Sequence, residues 1–144
     1  MSEAAMRAAV ETALKELGWE DQTAWENRAF TPTAGVPYQR VTCGFGRPSH
    51  QENRASYTQQ GWMQVDLFYP SGDDPDAPPS GPGEATARAE SLRTIFWRGR
   101  TLVHAGIKTT IWEAPEIMTG RRDGDRYIVP VVVRFYAQIE VQPA

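Results

Sequence analysis

Residues 126–140, RYIVPVVVRFYAQIE, constrain this chain more than any other stretch. Tyr127, Val129, Val131, Val133, Phe135, Ala137 and Ile139 recur at every second position, so they share one face of an extended strand. Pro130 lies inside the run and has no N–H for a ladder, which predicts a bulge or a sheet edge there. Just ahead stands Arg122-Asp123-Gly124-Asp125, and Asp-Gly is a strong hairpin signal. A second run with the same period is GWMQVDLFY, residues 61–69. Its Met63, Val65, Leu67 and Tyr69 face one way, and Trp62, Gln64, Asp66 and Phe68 the other. That second set is neither fully polar nor fully apolar, which implies that it meets something. Residues 38–45, YQRVTCGF, alternate as another strand, and 107–113 and 116–119 add shorter ones.

Two segments follow the helical period instead. In residues 3–17, Met6, Val10, Ala13, Leu14 and Leu17 form one apolar stripe that ends before Gly18. Glu11 and Lys15 stand four apart, a pair expected on the outer face. Residues 84–98 predict a second helix, with Ala85, Ala89, Leu92 and Phe96 as its stripe and Gly99 as its stop. Arg93, Arg98 and Arg100 gather near its C-terminus, where the helix dipole favours cations. This order predicts an α+β fold: an antiparallel or mixed β-sheet with two helices packed on one face, plus a β-hairpin and two long loops. The loops are residues 47–60 and the proline-rich, acidic residues 70–84. A chain of 144 residues is expected to form a single domain, 1–144.

Composition then removes whole classes of function. A 40% share of hydrophobic residues, with five tryptophans, is too rich for a disordered chain. The formal charge of −3 is no footprint for a nucleic-acid binder, which needs a basic face. Cys43 is the only cysteine, so an intrachain disulfide is impossible and a reducing compartment fits. No apolar run reaches membrane-spanning or signal-peptide length. Catalysis finds no support either. His50, His104 and Cys43 come from three distant segments without metal-ligand spacing, and one histidine is expected to be partly buried. GxSxG, GxxxxGK[ST] and strand-borne GxGxxG motifs are missing. Asp73, Asp74 and Asp76 lack the spacing of a calcium loop. The expectation is a protein with no catalytic residues, no metal and no cofactor. Its five tryptophans cannot all be core, and tryptophan, tyrosine and arginine are the usual anchors of interfaces.

The stretch AWENRAFTPTAGVPYQRV, residues 24–41, resembles the signature of a family of bacteriophage tail terminator proteins. The matching pieces are Trp25-Glu26-Asn27, Phe30-Thr31-Pro32 and Pro37-Tyr38. Gly61, Val65-Asp66 and Pro70-Ser71-Gly72 continue the likeness, followed by FWRGRTL after the second helix and YIVPVVVRFYA at the close. The resemblance implies a virion protein, assembled in the host cytoplasm, whose copies form a ring, most simply a hexamer. The ring would cap the tail tube, stop the major tail tube protein from polymerising and offer a surface to the head-completion or connector protein. Trp25, Glu26, Asn27, Arg28 and Phe30 would then be an arm against a neighbour, with Tyr38, Trp62, Asp66 and Phe68 beside it. The competing local reading makes the same stretch a first strand of its own sheet, with Trp25 capping the core. Asp73, Asp74 and Asp76 would face the lumen or a partner and repel DNA, so no specific nucleic acid and no membrane is implied. Two alternatives stand: another ring of the head–tail junction, or a small-molecule-binding protein or enzyme, which needs a deep cleft with convergent polar groups.

Overall fold

The computed structural model describes residues 2–33, 35–50, 56–70 and 82–140. Helix α1 (Ser2–Leu14) runs into a 3-10 turn at Lys15–Leu17 and a second at Glu20–Gln22. The strands that follow are β1 (Thr23–Ala24), β2 (Tyr38–Phe45), β3 (Ser49–His50) and β4 (Tyr57–Pro70). Helix α2 (Pro82–Ile95) leads to β5 (Thr101–His104), β6 (Ile107–Ile111), β7 (Glu116–Ile117), β8 (Arg121–Asp123) and β9 (Arg126–Ile139). Among the described residues these nine strands form one sheet of order β1-β2-β4-β9-β6-β5, with β3 on β4 and β7 and β8 on β9. Only β1 and β2 pair in parallel, so the sheet is mixed, and the fold is α+β.

The two period-two runs are the spine of the sheet. β4 and β9 pair without a slip from Tyr57↔Ile139 to Pro70↔Arg126. Their inward residues, Met63, Val65, Leu67, Val129, Val131, Val133 and Phe135, join Met6, Val10 and Leu14 of α1 and Ala89, Leu92 and Phe96 of α2 in one buried cluster. Each fully buried large side chain of this kind contributes about 1.5–3 kcal/mol. β2 then lies on the far side of β4, with Val41 and Cys43 on the same inner face.

Several expectations need correction. Pro130 marks neither a bulge nor an edge, because β9 is central and its register with β4 is unbroken there. The reason lies in the other flank of β9, which β6, β7 and β8 occupy in succession. The Pro130 carbonyl accepts from the Met118 N–H, so its missing N–H points the same way, into the break between β7 and β8. α2 ends at Ile95, three residues early, and the Arg100 guanidinium donates to the Ile95 carbonyl left free at that end (2.7 Å). β4 starts at Tyr57, inside the expected polar loop. There Gln59 is buried, and its amide donates to the Gly46 and Gln60 carbonyls (2.8 and 2.9 Å). The β8–β9 hairpin turns on Gly124-Asp125, one residue later than expected. A second hairpin, β5–β6, turns on Ala105-Gly106, both with positive φ (51° and 78°). Glu11 is half-buried rather than on an outer face, and Lys15 pairs with Glu20 (3.9 Å). Both His50 and His104 are exposed.

Candidate interaction face

The sheet has an inner face on the core and an outer face that divides into two halves. Tyr38 and Arg40 of β2, Trp62 to Phe68 at even positions of β4, and Ile128 to Arg134 at even positions of β9 all point outward. At one end the chain covers this face itself. Tyr38 stacks on Phe68 with ring centroids 4.5 Å apart and planes 3° apart, and Phe30 tilts onto Tyr38 at 5.3 Å. Asp66, only 5% exposed, accepts from Arg40 (3.1 Å) and from Gln64 (2.8 Å). Arg126 lies over the Tyr38 ring and donates to the Val36 and Thr33 carbonyls (2.7 and 2.9 Å). Two charge-assisted hydrogen bonds of this kind tie the segment after Phe30 down to the sheet.

The segment AWENRAFTP is built from the same logic. Thr23 and Ala24 form β1 against Gln39 and Arg40, and the buried Gln39 amide donates to the Thr23 hydroxyl (3.0 Å). Trp25 is half-buried against the core, with the Lys15 ammonium 5.7 Å from its ring. Beyond Ala24 no strand among the described residues lies beside the edge of β2, and Glu26 takes that place. Its carboxylate accepts from the Cys43 backbone N–H (2.5 Å) and pairs with Arg7 (3.0 Å), whose other arm reaches the Cys43 carbonyl (3.5 Å). Side chains thus close a strand edge that would otherwise invite pairing. Asn27 turns the chain with φ 59°, and Asn27, Arg28 and Ala29 are exposed. A groove of about 370 Å³ runs between this segment and β2, bordered by Trp25, Arg28, Phe30, Tyr38 and Arg40.

Of the residues singled out in the sequence, Phe30, Tyr38, Asp66 and Phe68 come together with Arg40 in one cluster on the covered half. Trp25 and Glu26 belong to the β1–β2 edge, and Trp62 stands apart on the uncovered half. Asp73, Asp74 and Asp76, like most of the 70–84 loop and residues 51–55, lie outside the described residues. Sequence reasoning missed Arg7, Arg126 and Arg134. A cation opening or interrupting an otherwise apolar strand was the available signal for the last two. On the uncovered half, Trp62 is 38% and Trp112 36% exposed, and Arg134 between them is held by Glu116 (2.8 Å) and Glu113 (3.6 Å).

No catalytic constellation accompanies this surface among the described residues. No three residues of the His, Cys, Asp and Glu types gather as a metal site. Burial, with the nearby Glu11 carboxylate next in effect, pushes the Cys43 thiol up to about 12, so it is not a nucleophile at neutral pH. Arg88 lies 4.0 Å over Trp19, and burial lowers its pKa. No helix among the described residues is long and apolar enough to cross a membrane.

Comparison with known proteins follows the same line. A family model described as phage tail terminator protein matches residues 4–135. No curated protein matches the chain. One solved structure is 22% identical, covers 99% of this chain and 99% of its own, and superposes with a TM-score of 0.71. A chain from the virion of a native gene transfer agent particle is 14% identical, with 95% of this chain and 97% of that one covered and a TM-score of 0.64. Identities this low show a common fold and nothing finer.

Proposed function

As this chain belongs to the phage tail terminator family, we propose that it caps the finished tail tube as a closed ring, ends tube polymerisation and presents the surface to which the head is joined. The match over residues 4–135 carries this reading. Membership of that family makes the chain a structural protein of the phage tail and its virion. The finer reading names the partners: copies of itself, most simply six, the major tail tube protein on one side and the head-side connector on the other. It also assigns the subunit or tube contacts to Trp25, Glu26, Asn27, Arg28 and Phe30 and to Tyr38, Trp62, Asp66 and Phe68. Several of these have internal contacts, so their exposed parts and neighbours would carry the interface. The exposed indoles of Trp62 and Trp112 support it, because aromatic side chains half in water are costly to leave bare and typical of interface centres. The net charge of −3 suits a ring through which DNA must slide without sticking.

Tube length reads the proposal directly. Purified tube protein is allowed to polymerise with increasing amounts of this chain, and tubes are measured by negative-stain electron microscopy. Growth should stop once there is about one ring for each free tube end. Tubes that lengthen at the same rate with and without the chain would overturn the cap reading.

A further inference from the structure

The uncovered half of the outer face holds a shaped cleft. Trp62 and Arg134 are direct cross-strand neighbours, and Trp112 follows β6 with its backbone N–H on the Arg134 carbonyl (3.3 Å). With Gln60 and Gly61 they border a cleft of about 190 Å³. The Trp62 indole lies against Gly44, where a Cβ would stand 2.2 Å from its Cζ2 atom. Only a glycine there leaves room for the ring, which stays 38% exposed. The rim carries the partly exposed carboxylates of Glu113 and Glu116, both paired with Arg134, and Arg93 donates to the Pro115 carbonyl between them (3.1 Å). Such a cleft fits a proline ring or a branched aliphatic side chain beside a cation.

The same chain carries a segment of that description at the other end of the same face, roughly 20 Å away for six residues of strand. Thr31, Pro32 and Val36 are exposed, Arg28 borders the same groove as Pro32, and residues 27–40 contain no acid. Arg126 pins this arm through the Thr33 and Val36 carbonyls, so it cannot swing to its own cleft. We infer that the arm of one copy, through Pro32 and Val36, docks in the Trp62–Trp112 cleft of a second copy, with Arg28 facing the Glu113 and Glu116 rim. Apolar surface meets apolar surface and unlike charges align. The two patches differ, so the contact is head-to-tail and must close into a ring or run on as a filament. This contact rests on the ring reading above and supplies its geometry.

Sedimentation velocity on complementary variants tests it. Val36→Asp removes a good arm and keeps the cleft; Trp112→Ala removes a good cleft and keeps the arm. Glu113→Lys serves as a second cleft variant that reverses one partly exposed charge and breaks its pair with Arg134, and thermal melts confirm that each variant is folded. The wild type should self-associate as its concentration rises, and each variant alone should do so at least about 30-fold more weakly. An equal mixture of Val36→Asp with either cleft variant retains one intact contact and should give 1:1 dimers that grow no further. Folded variants that assemble like the wild type, a mixture that stays monomeric, or a wild type that never self-associates would each overturn the inference. Tube-length control by the wild type is read separately, so the cap reading can stand where this contact fails.

Discussion

Gly61 shows how one residue can set the packing of a sheet. It lies in register between Phe45 on β2 and Phe135 on β9, and the two rings meet edge-on above it with centroids 6.2 Å apart. A Cβ there would stand 2.6 Å from the Phe135 ring and 3.0 Å from Phe45. Gly61→Ala should therefore cost about 1–3 kcal/mol by overpacking, seen as a lower Tm of the dilute chain. Glu11 works in the opposite direction. Desolvation raises its pKa above 4.5, with Glu26 adding to the shift and Arg7, Lys15 and Arg28 opposing it. The folded state thus binds this proton more tightly than the unfolded state, and stability is lost as pH rises through 4.5 and the raised value. Glu11→Gln should raise the Tm at pH 7 and leave it unchanged well below pH 4.5. Equal shifts at both pH values would contradict that. Neither effect was legible in the sequence, because both arise from neighbours brought close by strand register and by β1.

The elements themselves were largely legible, since burial on one face writes itself as a period. β2 stands where its alternation placed it, and β9 differs by one residue at its end. What escaped was wherever a polar group did a structural task. Gln59 reads as a loop residue, yet its hydrogen bonds make it an inward strand position. The β5–β6 hairpin hides behind Ala105, a poor residue for positive φ and no part of the usual Asn-Gly or Asp-Gly signal. The 24–36 stretch is half strand and half arm, and the sequence could not rank those roles. Its contacts give two expectations. Trp25→Ala should lower the stability of the dilute chain by about 2 kcal/mol, less than the 3–5 of a fully buried aromatic. Arg126→Met should cost about 1.5–3 kcal/mol and release the arm. Amide exchange at Val36, whose N–H bonds the Thr33 carbonyl (3.1 Å), reports that release. Unchanged exchange at Val36 would show that other contacts hold the arm.

At the scale of the molecule, one sheet serves two purposes. Its inner face binds both helices into the core, and its outer face is covered at the Phe68 end and bare at the Trp62 end. The bare half supports the proposed assembly of this member of the tail terminator family. The AWENRAFTP stretch combines two roles: Thr23 to Glu26 seal the β2 edge, and the exposed residues after Asn27 belong to the arm proposed to meet a neighbour. The central claim, a ring at the head-proximal end of the tube, is tested most directly by cryo-electron microscopy of intact tails carrying this chain. Density for this fold should appear as a single closed ring on the last ring of tube protein, facing the head. Density for it along the shaft, at the distal tip, or as isolated subunits without contact between copies would rule out a terminating ring.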